Sequence, residues 1–288
     1  MADQRKAFIV GISGCSSSGK TTLARLLRDI FPSTMILHED DFYRPETELP
    51  TRNGFLDWDC VEALSVPDIE KALAHIRASG TFPVGTRLSA SLSSRTDHGC
   101  LPSGPSTKRK SQPTVDSKED QNSVGQCPVS DAKIGAMREM VAGWLREGKP
   151  VHGLLTEGKL RLCLFDGFLL YSREMEAIMK LIDVKLFLLV SRQKAVQRRE
   201  ARDGYVTLEG FWKDPPGYVE KIVWPNYAGA HAWLFENGDV EGRLDSKVLA
   251  ETGIMAQVDR GLDVDMETTL EWAVEQIIAQ LEQFAGSV

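Results

Sequence analysis

The segment Gly14-Cys15-Ser16-Ser17-Ser18-Gly19-Lys20-Thr21 follows the pattern G-x-x-x-x-G-K-[ST], and it constrains this chain more than any other stretch. A short apolar run from Lys6 to Ile12 leads into it and reads as a buried strand. A helix pattern leaves it from Lys20, with Leu23, Leu26, Leu27 and Ile30 at helical spacing. In that setting the glycines let the backbone wrap closely around an anion, and successive N–H groups point inward. The helix N-terminus adds partial positive charge. Lys20 is placed to reach the β- and γ-phosphates of a nucleotide, and the Thr21 hydroxyl to coordinate Mg²⁺. The plain alternative is a glycine-rich turn before an ordinary helix, and the flanking strand and helix argue against it. Such a loop does not name a reaction, because many chemistries share it.

The rest of the chain alternates strand and helix patterns. Thr34 to His38 is a second strand candidate, followed by the acidic run Glu39-Asp40-Asp41. Residues 59–77 read as mostly helical, with Pro67 restarting the helix. Leu160 to Phe165 and Val184 to Val190 are further buried strands, and residues 171–181 between them read as a helix. A helix rich in Arg and Gln begins near Ser191. The last helix runs from Met266 to Phe284 with Leu270, Ala273, Ile277, Ile278, Leu281 and Phe284 on one face. This order predicts an α/β fold of the P-loop NTPase type, a parallel sheet with helices on both faces.

One stretch breaks the pattern. No aromatic residue occurs between Phe82 and Trp144, and residues 91–130 are dominated by Ser, Thr, Pro, Gly, Lys and Asp. Such a composition cannot bury enough apolar area to offset its ordering entropy. The expectation is one domain over 1–82 and 133–288, interrupted by a low-complexity, disordered insertion over 83–132. Its Lys108-Arg109-Lys110 triplet reads as solvated charge, with a localisation or docking signal as the sharper alternative. Residues 133–147 resume an amphipathic helix.

Two acidic positions face the loop. Glu39, Asp40 and Asp41 end the second strand at the rim where parallel sheets bind ligands. Adjacent carboxylates repel unless a cation stabilises them, and a phosphate-bound Mg²⁺ is such a cation. In a kinase one of them can also accept the proton of the attacking hydroxyl. Asp166 ends the third long strand, where an acid commonly orients the metal or its water; capping the next helix is the alternative. In the basic helix, Arg198 and Arg202 share a face at i, i+4 while Arg199 points elsewhere. Arginines on a mobile lid helix supply the fixed cations that phosphoryl transfer needs.

Taken in order, Gly11-Ile12-Ser13-Gly14, the loop, Glu39-Asp40-Asp41-Phe42-Tyr43-Arg44-Pro45, Asn53-Gly54-Phe55-Leu56-Asp57-Trp58-Asp59 and Asp166-Gly167-Phe168-Leu169-Leu170 resemble the nicotinamide riboside kinases, relatives of uridine kinase. The resemblance covers residues 6–80 and 160–230 and is absent across the insertion. It implies ATP-dependent phosphorylation of the ribose 5′-hydroxyl of nicotinamide riboside, and of nicotinic acid riboside, in NAD biosynthesis. It implies Asp40 as general base, with Lys20 and Arg198 as catalytic cations. ATP would be held by Gly14, Cys15, Ser16, Ser17, Ser18, Gly19, Lys20, Thr21, Thr22, Arg198 and Arg202. The riboside would meet Asp40, Asp41, Phe42, Tyr43, Trp58, Asp59, Arg199 and Tyr205. Mg²⁺ would lie near Thr21, Asp40 and Asp166. Trp58 falls where the family stacks an aromatic on the pyridine ring, and Asp59 where it holds the ribose hydroxyls. The chain departs from the pattern in carrying Asp166 where the family has Glu, and Tyr205 is displaced by one residue from the family's second stacking aromatic.

The chemistry agrees independently. Nicotinamide riboside carries a pyridinium cation, which an indole face attracts by about 0.5–2 kcal/mol. A uridine or cytidine kinase is the nearest rival, yet donors for a pyrimidine carbonyl edge are not identifiable near Trp58. A regulatory nucleotide-binding module without catalysis is the rival of another class, and the intact Lys20, Thr21 and Asp40 oppose it. The net charge of −7 and the absence of nucleic-acid-binding motifs argue against a nucleic-acid partner. The polar start, the absence of an 18-residue apolar run and five scattered cysteines predict a cytoplasmic protein with no membrane span, reduced thiols and, through the basic triplet, access to the nucleus.

Overall fold

A computed structural model of the chain describes residues 5–83, 127–149, 151–202, 204–207 and 210–287. The strands are β1 (Ala7–Gly14), β2 (Thr34–His38), the short pair β3 (Thr51–Arg52) and β4 (Phe55–Leu56), β5 (Arg161–Gly167), β6 (Val184–Leu188), the second short pair β7 (Tyr205–Val206) and β8 (Phe211–Trp212), and β9 (Ile254–Met255). The main helices are α1 (Lys20–Ile30), α2 (Val66–Ser79), α3 (Asp131–Trp144), α4 (Arg192–Glu200), α5 (Trp224–His231), α6 (Ser246–Thr252) and α7 (Met266–Ser287). Five strands form one parallel sheet in the order β2-β5-β1-β6-β9.

The sheet is buried on both faces because its strands alternate between two apolar sets. Phe8, Val10 and Ile12 of β1 and Leu162 and Leu164 of β5 face α1, α3 and α7 through Leu23, Leu27, Met137, Val141, Leu270 and Ile277. Ile9, Cys163 and Phe165 point the other way, toward Ile69, Leu73 and Ile76 of α2 and Tyr227 of α5. This period-2 division is what a two-sided parallel sheet demands. Helix starts are fixed by side chains: Ser130 accepts from the Lys133 N–H, Ser191 from that of Lys194, and Asp245 from those of Lys247 and Val248.

Two sequence expectations change, and one strand was missed. The helix expected over 171–181 is only a turn at Arg173–Met175 and a single helical turn at Glu176–Met179. The Tyr171 hydroxyl donates to the Gly11 carbonyl at 2.8 Å and pins the start of that segment as loop. The helix expected from residue 59 begins at Val66, after a turn at Val61–Ala63. The two-residue edge strand β9 was invisible to periodicity.

The disordered insertion expected over 83–132 falls largely on residues outside the described ones. Its far end does not. Val129 is buried with α3 and α7, and the Ser130 N–H donates to Glu267 at 2.9 Å. An apolar anchor and a helix cap therefore place residues 127–132 with the domain rather than with an insertion running to 132. Among the described residues, no helix is long and apolar enough to cross a membrane.

Candidate active site

The Gly14–Thr21 loop lies between the end of β1 and the start of α1, at the carboxyl edge of the sheet. Gly14 and Gly19 have φ of 145° and 102°, a region that disfavours any residue with a Cβ. A Cβ at Gly14 would also sit 2.5 Å from the Leu188 carbonyl oxygen, so the loop packs directly on β6. The Ser18 N–H donates to the Cys15 carbonyl at 3.1 Å, and the Lys20 ammonium donates to the same oxygen at 2.9 Å. Lys20 is thus folded across its own loop. Burial pulls its pKa down, while Cys15, Asp166, Asp40 and Glu39 pull it back up. Thr22 continues the first turn of α1.

Burial pushes the Cys15 thiol up to about 12, so the loop cysteine is neutral and a poor nucleophile at neutral pH. Brief iodoacetamide treatment at pH 7.5 is expected to label the exposed Cys127 and spare Cys15, read by peptide mass spectrometry.

Two carboxylate-bearing strand ends meet the loop. β2 and β5 pair in register at His38 and Asp166. The Asp166 carboxylate accepts from Thr21 Oγ1 at 2.7 Å and lies 2.5 Å from His38 Nδ1. Burial alone raises its pKa, but His38, Thr21 and Lys20 outweigh that and hold it below the ordinary carboxylate range. After His38 a 3₁₀ turn, Glu39–Phe42, leaves Asp40 and Asp41 half-buried and sinks Glu39 and Phe42. Glu39 Oε2 accepts the Phe168 and Leu169 N–H groups at 2.7 and 3.2 Å; burial pushes this carboxyl up to about 7. Asp40 acts electrostatically on both Lys20 and the Tyr43 hydroxyl.

These groups suit a hard divalent cation. Thr21, Asp166 and Asp40 offer only oxygen donors. Among the described residues no cluster of three or more His, Cys, Asp or Glu is arranged to hold a metal unaided. Mg²⁺ is typically held this way, by one or two protein oxygens with phosphates and water completing its shell.

A second group of residues lies beside the first. Trp58 is 6% exposed and meets Tyr43 edge-on at 5.3 Å between centroids and Trp212 at 5.7 Å. Tyr43 in turn stacks on Phe168 at 6.5 Å. Asp59 receives two N–H groups of Arg199, at 2.9 and 3.1 Å, and the Tyr218 hydroxyl at 3.2 Å. Arg199 also donates to Asp214 at 2.7 and 3.2 Å and to Ser16 Oγ at 2.7 Å. All five donors of its guanidinium are therefore engaged. Burial pushes Asp59 up and Arg199 pulls it back, with the net shift upward. Asp59, buried, and Asp214, half-buried, thus share the one guanidinium of Arg199.

The sequence-predicted residues thus fall into two adjoining groups. Lys20, Thr21, Asp40 and Asp166 gather at the loop, while Tyr43, Trp58, Asp59 and Arg199 gather in the aromatic cluster. Arg199 is not a free lid cation but the fixed link from the pocket to the loop through Ser16. Arg198 is exposed and reaches the Ser17 carbonyl at 3.4 Å. Arg202 lies over the Tyr205 ring at 4.6 Å, and Arg199 lies over it at 4.9 Å. Tyr205 accordingly sits among arginines, and its cross-strand partner Trp212 is the ring beside Trp58. Sequence reasoning passed over Trp212, Asp214 and Tyr218. Trp212 stands opposite Tyr205, but two-residue strands carry no periodic signal in the sequence. His38 was passed over as well, although it directly precedes the acidic run.

No family model matches the chain. A nicotinamide riboside kinase of Schizosaccharomyces pombe is 34% identical over 278 residues, spanning 96% of this chain and 99% of its own. A nicotinamide riboside kinase of Saccharomyces cerevisiae is 30% identical over 276 residues, spanning 95% of this chain and 97% of its own. Among solved structures, a possible uridine kinase from Bacillus stearothermophilus aligns with 78% of this chain and 82% of its own, at 13% identity and a TM-score of 0.36.

Proposed function

The chain belongs to the nicotinamide riboside kinases, and from that premise we propose that it transfers the γ-phosphoryl group of ATP to the 5′-hydroxyl of nicotinamide riboside. The product is nicotinamide mononucleotide, a precursor of NAD. The observation that carries the choice of acceptor is the pocket of Trp58, Trp212 and Tyr43 beside Asp59, Asp214 and Arg199. Its walls are electron-rich rings, whose faces attract the pyridinium of nicotinamide riboside more than the uncharged ring of uridine.

In this reading Lys20 leaves the Cys15 carbonyl for the β- and γ-phosphates, and the loop N–H groups hold the rest of the chain of phosphates. Thr21 and Asp166 would hold Mg²⁺ from the protein side, where it would supply neutralisation of phosphate charge. Asp40 accepts the 5′-hydroxyl proton as the oxygen attacks. Asp59, fixed by Arg199 and Tyr218, accepts the ribose hydroxyls and sets the 5′-carbon toward Asp40. Arg198 and Arg202 on α4 answer the charge of the nucleotide. The unpaired thiols at Cys15, Cys60, Cys127 and Cys163 fit a reducing compartment, the cytoplasm.

Trp58→Leu separates this acceptor from a pyrimidine riboside. It keeps an apolar wall but removes the ring quadrupole, so kcat/KM for nicotinamide riboside is expected to fall by about 1 kcal/mol, roughly fivefold. Uridine, measured on both proteins at one Mg²⁺ and ATP concentration, should lose less. Equal losses would make Trp58 a plain hydrophobic wall and reopen the choice between the two acceptors.

A further inference from the structure

We propose that Glu39 is a positioning residue for phosphoryl transfer, a buried clamp that sets the spacing between Asp40 and Asp166. The inference rests on the reading of Asp40 and Asp166 as the general base and the metal-side carboxylate.

Glu39 is a carboxylate with no solvent exposure at the end of β2, one residue before Asp40. It takes no direct part in the chemistry just described. Its Oε2 instead spans to the neighbouring strand end, where it accepts the N–H groups of Phe168 and Leu169 at 2.7 and 3.2 Å. Those two residues follow Asp166 by two and three positions. The contact is close enough that a Cβ placed on Gly167 would lie 2.6 Å from both Cβ and Oε2 of Glu39, so only glycine admits it there. His38 grips the Asp166 carboxylate itself from the same strand end. Two consecutive residues, His38 at the end of β2 and Glu39 in the turn after it, therefore hold one side chain and two backbone N–H groups at the β5 end, directly before Asp40.

The other carboxylate oxygen, Oε1, is buried without a hydrogen-bond partner. Leaving such an atom in the interior is costly, and a purely structural link between two strands is made more cheaply by apolar side chains. What the carboxylate adds is a fixed reach. Two N–H groups converging on one oxygen define where the backbone after Asp166 lies relative to the backbone of Asp40. Misplacing groups around a transferring phosphoryl by even about 1 Å is costly to rate.

The test compares Glu39→Ala, Glu39→Asp and Glu39→Gln with the unaltered protein, using Mn²⁺ as probe metal. ADP affinity is measured by calorimetry with and without Mn²⁺, and kcat is measured with Mg²⁺ and ATP. Loss of an outer support of a metal site typically costs about 10–100-fold, so Glu39→Ala should lose at least tenfold in the metal-dependent part of ADP affinity and in kcat. ADP affinity without metal should stay within about twofold, since Lys20 and the loop N–H groups do not pass through Glu39. Glu39→Gln retains an oxygen that can accept both N–H groups and should remain within about threefold of the unaltered protein throughout. Glu39→Asp is one carbon too short and should fall between; it carries the test should the alanine variant fail to fold. A folded Ala or Asp variant with unchanged kcat and unchanged Mn²⁺-dependent ADP affinity overturns the proposal. So does a Gln variant as damaged as Ala, because the role would then not be acceptance of two N–H groups. Asp166→Asn, run in parallel, locates a failure. If that variant keeps the metal-dependent affinity, the reading of the metal side itself is wrong and the clamp falls with it. If it loses that affinity while the Glu39 variants do not, only the clamp is overturned.

Discussion

Asp40→Asn is expected to lower kcat by about 10²–10⁴-fold while leaving the fold intact. The side chain is half-buried at the rim of the sheet, outside both apolar cores, and Asn has the same shape. The amide cannot accept the 5′-hydroxyl proton, and it is a poor partner for Mg²⁺ beside Thr21 and Asp166. Both losses act on the transition state more than on substrate binding, so KM for the riboside should change little while kcat falls. Asp41→Asn is the control, because it keeps the local charge reduction but leaves the proposed base in place; it should cost far less. Single-turnover phosphoryl transfer and a thermal melt on both variants check this. Near-normal turnover in Asp40→Asn, or the larger loss in Asp41→Asn, would move the base to another group.

The parts of this site that were legible in sequence are those whose chemistry is local. Gly14 to Thr21 needs its residue types in a fixed order, because one short turn supplies every N–H group. The alternating Phe8, Val10 and Ile12 against Ile9 announced a strand buried on both faces. Asp40 and Asp166 were legible as carboxylates at strand ends. What sequence could not supply is pairing at long range. Arg199 was visible as one of three arginines on a helix, but its hold on Asp59, 140 positions away, and on Ser16, 183 positions away, depends on how α4 packs over the loop. Trp212 and Asp214 were silent for the same reason: their role comes from Trp58 and Arg199, which the chain brings to them from elsewhere. Glu39 was seen as one acid among three, and nothing in a run of carboxylates tells which one turns inward.

The largest effect on the protein itself is expected at Arg199. Its guanidinium is 7% exposed and joins Asp59, 4% exposed, to Asp214, 15% exposed. Replacing it with Met keeps much of the apolar stem but leaves two nearly buried carboxylates facing each other. Breaking a buried ion pair from one side costs about 3–5 kcal/mol, against a total stability of about 5–15 kcal/mol for a typical domain. Arg199→Met should therefore melt well below the unaltered protein at pH 7.5. Lys is no substitute, since one ammonium cannot replace five donors in a planar fork. The pH dependence tests the cause. Burial already raises the Asp59 pKa with Arg199 present, and removal of the guanidinium raises it further. An acid whose folded pKa lies above its unfolded one favours the folded state when protonated, so its cost appears as pH rises from the unfolded value through the folded one. The stability gap between Arg199→Met and the unaltered protein should thus narrow as pH is lowered into the carboxylate range. Adding Asp214→Asn to Arg199→Met should recover part of the loss at pH 7.5, because one of the two facing charges is gone. Activity should not return with stability. Asp59, the proposed ribose ligand, would still lack the guanidinium that fixes it, and the cluster would have lost its tie to Ser16 in the phosphate loop. A gap that stays constant with pH, or a double variant no more stable than the single one, would mean that Arg199 stabilises the fold through its packing on Tyr205 and Tyr218 rather than through the carboxylates it joins.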